Sequence, residues 1–123
     1  MAQPSLARER SWLFTTDSED NSACSVSLAA ASGARNTVGM VVFGYDLPPA
    51  SGDRQLTIAW TLNGVAQTYT HPINGGGDTG AACVDMAVFP DFMLTGDENT
   101  AVTIGLTASG TAGNKGWVNV FYL

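Results

Sequence analysis

The stretch QLTIAWTLNGVAQTYTH, residues Gln55 to His71, decides the fold. Asn63-Gly64 is the pair preferred in a two-residue type I′ turn, because both central positions need positive φ. On either side of it apolar or aromatic residues alternate with small ones, which is the period of a strand. The turn therefore fixes a register. Leu62 faces Val65, Trp60 faces Gln67 and Ile58 faces Tyr69, while Thr57, Ala59, Thr61, Ala66, Thr68 and Thr70 share the other side. The first set is expected in the core. The second is small, flat and uncharged, so it either stands free in water or lies under another chain.

The same alternation, punctuated by Gly, Asn, Asp, Ser and Pro clusters, continues in both directions. It predicts eight strands: Trp12 to Thr16, Cys24 to Ala30, Thr37 to Tyr45, Gln55 to Leu62, Val65 to His71, Ala82 to Phe89, Ala101 to Ala108 and Gly116 to Tyr122. Most of the connections are long enough to cross between sheets. The Ala-rich run at Leu28 to Arg35 is broken by Ser32-Gly33 and the apolar run at Ala82 to Leu94 by Pro90, so neither makes a stable helix. The expected fold is all-β: one antiparallel β-sandwich, jelly-roll-like or Greek-key, over residues 11–123, behind an N-terminal arm of residues 1–10.

A chain of 123 residues suits one such domain. Its charged share is 13%, about half the usual one, and the net charge is −6. No basic footprint for a phosphate backbone can be built from five cations, so nucleic acid and anionic membrane are excluded as partners. The opening residues lack the apolar run of a secretory signal and no segment approaches the length of a membrane span, so a soluble protein made in the cytoplasm is expected. One lysine, Lys115, leaves little with which to guard sheet edges, and this points to edges covered by other chains. The last strand adds to that: Val118, Val120 and Tyr122 alternate with Trp117, Asn119, Phe121 and Leu123, apolar on both faces.

Chemistry-bearing residues are few. Cys24 and Cys83 lack metal-ligand spacing and read as buried thiols, or as a disulfide in an oxidising setting. His71 has no nucleophile elbow or comparable signature beside it; it reads as a surface histidine at a strand end, although Cys83, His71 and Asp85 could meet in space. The Gly-rich stretches Asn74 to Asp78 and Gly110 to Gly116 lack the spacing of a phosphate loop and read as turns. Asp17 to Asn21 and Asp97 to Asn99 read as solvated acidic loops, and a structural Ca²⁺ would require the two to converge at one end of the sandwich. No cofactor is expected. Trp12 and Trp117 are candidate sugar platforms, whereas Trp60 falls in the core register.

The short arm Ala2 to Arg10, the compact strands from Trp12 and the final GWVNVFYL strand, in a lysine-poor acidic chain, resemble the small all-β accessory proteins of tailed-phage virions. These are head decoration (cement) subunits and small fibre or tail subunits. The resemblance implies a non-catalytic virion protein, made in the host cytoplasm, that binds a major capsid or other virion protein as a homo-oligomer, a trimer being favoured. On that reading the contact residues are Leu6, Arg8 and Arg10 of the arm and Trp117, Phe121 and Leu123 of the last strand. A glycan-binding sandwich using Trp12 or Trp117 is the alternative, and a small enzyme built around His71 a third.

Overall fold

The computed structural model describes residues 12–47, 49–50, 53–74 and 83–123, with backbone alone at Asp53, Asn74 and Cys83. Among these described residues nine strands follow one another: β1 (Leu13–Asp20), β2 (Cys24–Leu28), β3 (Thr37–Tyr45), β4 (Asp53–Leu62), β5 (Val65–Asn74), β6 (Cys83–Val88), β7 (Leu94–Thr95), β8 (Val102–Leu106) and β9 (Lys115–Tyr122). A single 3-10 turn, Pro90–Phe92, precedes β7. Among the described residues there is no α-helix, and no helix is long and apolar enough to cross a membrane.

The hairpin has the register read from its turn, with Ile58 opposite Tyr69, Trp60 opposite Gln67 and Leu62 opposite Val65. Asn63 and Gly64 both have positive φ, 53° and 75°. The carboxylate of Asp97 caps this turn, accepting the Asn63 and Gly64 N–H groups at 2.9 and 2.8 Å. Those two donors hold the Asp97 carboxyl below its ordinary pKa, with Arg35 adding to the effect. One expectation fails at the tip: Leu62 and Val65 are exposed, at 39% and 58%, beyond Ala59, where the pairing of β4 with β8 ends. Ile58 is fully buried, and Trp60 and Tyr69 pack against the core from its margin.

A five-stranded and a four-stranded layer make the sandwich. One has the order β1-β9-β3-β6, with β7 beside β3, and the other β2-β8-β4-β5. Except at the β4–β5 hairpin and between β6 and β7, successive strands pass from one layer to the other, and every pairing is antiparallel. That winding is the jelly roll. The core lies between the layers, where Val38, Val41, Phe43 and Tyr45 of β3 and Val118 and Val120 of β9 meet Leu56, Ile58, Ile104 and Leu106. Tyr45 donates its hydroxyl to the Thr107 carbonyl at 2.6 Å, which satisfies the polar end of a buried ring.

Several expectations are corrected. Asp17 to Asp20 belong to β1 and not to a loop: Asp17 accepts the Ser25 N–H at 2.9 Å, and Asp20 pairs in register with Lys115, which opens β9 instead of lying in a loop. Asp17 and Glu19 alternate with the outward residues of this edge strand, and inward-pointing charge is one way an edge is protected from unwanted pairing. The two acidic segments lie at opposite ends of the sandwich. Asp20 accepts the Gly113 N–H near the end of β3 marked by Tyr45 and Asp46, whereas Gly96 bonds Asn36 just before β3 begins. The convergence that a shared Ca²⁺ would need is therefore not met. Cys24 is a buried free thiol, pushed up to about 11 by burial. Residues 1–10, the stretch 75–82 and the Cys83 side chain lie outside the described residues.

Candidate functional site

His71 is not at a strand end; it is half-buried within β5 and faces the space between the layers. Its Nε2 lies 2.7 Å from Oδ2 of Asp85 on β6, so the pair ties the open edges of the two sheets together. Because a carboxylate accepts, Nε2 carries the proton, and in the neutral ring Nδ1 accepts from the Tyr69 hydroxyl at 3.1 Å. Phe43 meets the imidazole edge-on at 5.1 Å. Of the Cys83, His71 and Asp85 set, the structure brings the last two together. Among the described residues no group of three or more His, Cys, Asp or Glu side chains could hold a metal.

Asp85 also accepts the Met86 backbone N–H, and this bond first, then the His71 bond, lowers its pKa. A carboxylate with a lowered folded-state pKa contributes stability that is present above the unfolded value, about 3.9, and is lost as pH falls through the folded one. Asp85→Asn is therefore expected to reduce the drop in Tm between pH 5 and pH 2. A drop as large as that of the wild type would show that the pair carries no such linkage. Asp97 supplies a second contribution over the same window, which Asp85→Asn leaves in place.

The outward face of the first sheet can be written from its register. Phe14, Phe121, Met40 and Val88 lie side by side across the four strands. Thr16, Asn119, Val42 and Met86 form the next row, and Ser18, Trp117, Gly44 and Val84 the third. No charged residue occurs in the twelve positions. Such a face is usually studded with Lys and Glu when it meets only water. Val84, Met86, Val88 and Phe14 are each more than half exposed. The second sheet presents an uncharged face of another kind, with Ser25, Gly105, Thr57 and Thr70 in one row and Ser27, Thr103, Ala59 and Thr68 in the next.

At the Phe121 end the apolar face runs into a cleft of about 390 Å³. Trp12 and Phe92 are its walls, with ring centroids 6.4 Å apart and planes inclined by 22°. The Trp12 ring lies on Gly39, where a Cβ would come within 2.7 Å of it. Gly39 sits at a bulge, where the register of β3 on β9 slips between Val38 and Met40. Opposite, Asp91 and Phe92 both have φ of 58°, a left-handed conformation costing a non-glycine residue about 1–3 kcal/mol. The turn is held by the Met93 N–H on the Pro90 carbonyl and the Thr95 hydroxyl on the Phe92 carbonyl, at 3.1 and 2.7 Å. A strained turn thus presents an aromatic ring to water beside an exposed tryptophan. Gly39→Ala is expected to displace Trp12 and cost about 1–3 kcal/mol. An unshifted Trp12 indole resonance in the variant would contradict the close packing.

Of the residues singled out from sequence, Trp117 and Phe121 lie on the apolar face, and Leu123 directly follows β9 with its backbone paired to Thr37 at 2.9 and 3.3 Å. Leu6, Arg8 and Arg10 lie outside the described residues. Trp12 is exposed and Trp117 partly so, whereas the Trp60 indole N–H is buried without a partner. Sequence reasoning missed Val84, Met86 and Val88. The alternation VDMAV was visible at residues 84–88, but nothing local said which of its faces was outward.

The molecule is thus a jelly-roll sandwich with one apolar outer sheet face that ends in an aromatic cleft. No protein-family model matches the sequence, and no curated protein does. Among solved structures, one similar chain comes from a virus-like particle of the extra small virus of the giant freshwater prawn Macrobrachium rosenbergii, at 14% identity and a TM-score of 0.32, covering 90% of this chain and 75% of that one. Another comes from Bacillus endospore appendages, described as disulfide-linked pili, at 14% identity and a TM-score of 0.22, covering 90% and 87%. At these levels the likenesses bear on neither function nor partners.

Proposed function

We infer that this protein is a non-catalytic structural subunit that works by covering its apolar sheet face with other chains. The observation that carries the reading is the face itself: twelve outward positions over four strands without a charge, four of them large side chains more than half exposed. Contiguous apolar surface of this kind marks a contact between proteins. Taken with the sequence resemblance, the specific role we propose is a head decoration subunit of a tailed-phage capsid. It would form a homo-oligomer, a trimer by preference, on a major capsid protein, with Leu6, Arg8 and Arg10 of the arm, Trp117 and Phe121 of β9, and Leu123 after it at the contacts. Each footprint is weak alone and becomes effective by symmetric repetition on the shell.

The test is binding to purified phage heads stripped of accessory proteins. A plateau at one copy or oligomer per lattice site, with raised heat tolerance of the heads, is the expected result; the absence of a saturable plateau on any head would remove the decoration role. The glycan reading has the exposed Trp12 in its favour. Against it, the cleft lining offers a sugar few hydrogen-bonding side chains, Asp91 and the Trp12 indole. A glycan array that lights up would reverse that preference.

A further inference from the structure

We propose that the aromatic cleft is a receptor for a basic side chain, and that its occupant is Arg8 or Arg10 from the N-terminal segment of a second copy of this chain. The inference rests on the reading of the neighbouring face as a contact surface. The cleft itself supplies the chemistry. Trp12 and Phe92 present ring faces, Phe121 and Met40 close the apolar floor, and Asp91 is the charged side chain of the lining among the described residues. A guanidinium satisfies all of these at once, stacking on the rings while its N–H groups meet the carboxylate. The strain at Asp91 and Phe92 fits a site held ready for a ligand, since such conformations cost free energy and persist where the surroundings enforce them.

Charge identifies the occupant. Residues 1–11 carry two arginines and one glutamate, whereas the remaining residues carry three cations against ten carboxylates. Net-positive chain is therefore concentrated in that segment, and it is repelled least by another copy. Continuity with the apolar face identifies the copy. The segment joins the sandwich at Trp12, itself a wall of the cleft. Phe121, Met40 and Val88 belong both to the cleft and to the first row of the apolar face, so a neighbour seated on that face brings its segment to the cleft mouth.

Sedimentation velocity on the full chain tests this with D91N, R8A/R10A, their combination and M86K. Asn tolerates the left-handed backbone at 91, so D91N removes charge without refolding the turn. The expected result is that D91N and R8A/R10A each weaken self-association roughly tenfold and that the combination is no weaker than either alone, because both remove one contact. If both variants associate like the wild type while M86K does not, the pairing is wrong and the apolar face stands. Should M86K associate normally while D91N does not, the pairing stands without the face. A change of Trp12 emission in R8A/R10A at dilutions where the chain is monomeric would place the segment on its own cleft and overturn the exchange between copies.

Discussion

Met86→Lys is expected to leave the sandwich folded, with Tm close to that of the wild type, and to weaken self-association by about a hundredfold or more. Met86 projects from the edge strand β6 and is 53% exposed, so in the isolated subunit a lysine keeps its ammonium in water. Once another chain covers Val42 and Val84 beside it, the same ammonium must be desolvated without a partner, at a cost of several kcal/mol. The effect is thus confined to the assembled state. Light scattering coupled to gel filtration reads the oligomer, and a thermal melt of the same sample reads the fold. A variant that assembles as well as the wild type would show that the face stays open to water.

The second large effect is on the fold. Phe43→Ala is expected to cost about 3–5 kcal/mol, against the roughly 5–15 kcal/mol that holds a domain of this kind. Phe43 is fully buried on β3, opposite Val118 of β9, and its ring meets His71 from the other layer. Truncation leaves a cavity where the two layers are joined and removes the surface against which the His71 imidazole is set. A fall in Tm of about 10–20 °C follows for a domain of this size. Phe43→Leu, which keeps most of the volume, should cost less than about 1.5 kcal/mol. Equal losses for Ala and Leu would mean that ring contacts, and not filled volume, carry the stability.

What was legible in the sequence follows from how local each determinant is. The hairpin register was legible because Asn63-Gly64 fixes it within a few residues, and β3 was read with its observed bounds because β-branched and aromatic residues dominate Thr37 to Tyr45 despite Gly39 and Gly44. β1 was cut short because Asp17, Ser18, Glu19 and Asp20 have a loop composition; they extend as strand because β9 supplies a ladder from about a hundred residues away. The sheet order was hidden for the same reason, since a jelly roll pairs strands that alternation alone cannot match. The cleft was least legible. Its turn is left-handed at Asp91 and Phe92 without a glycine, and the glycine that admits Trp12, Gly39, looks like any other within a strand. Trp117 and Phe121 could be picked out because their strand is apolar on both faces. The exposed partners Val84, Met86 and Val88 acquire their meaning only from the register across β3.

Carbene footprinting of the full chain over a concentration series tests most directly whether other chains cover the apolar face. The predicted result is that labelling of Phe14, Val84, Met86 and Val88 falls together as the protein assembles, while Thr68 and Thr70 on the opposite sheet keep theirs. Labelling of the four that stays constant while light scattering reports assembly would contradict the account.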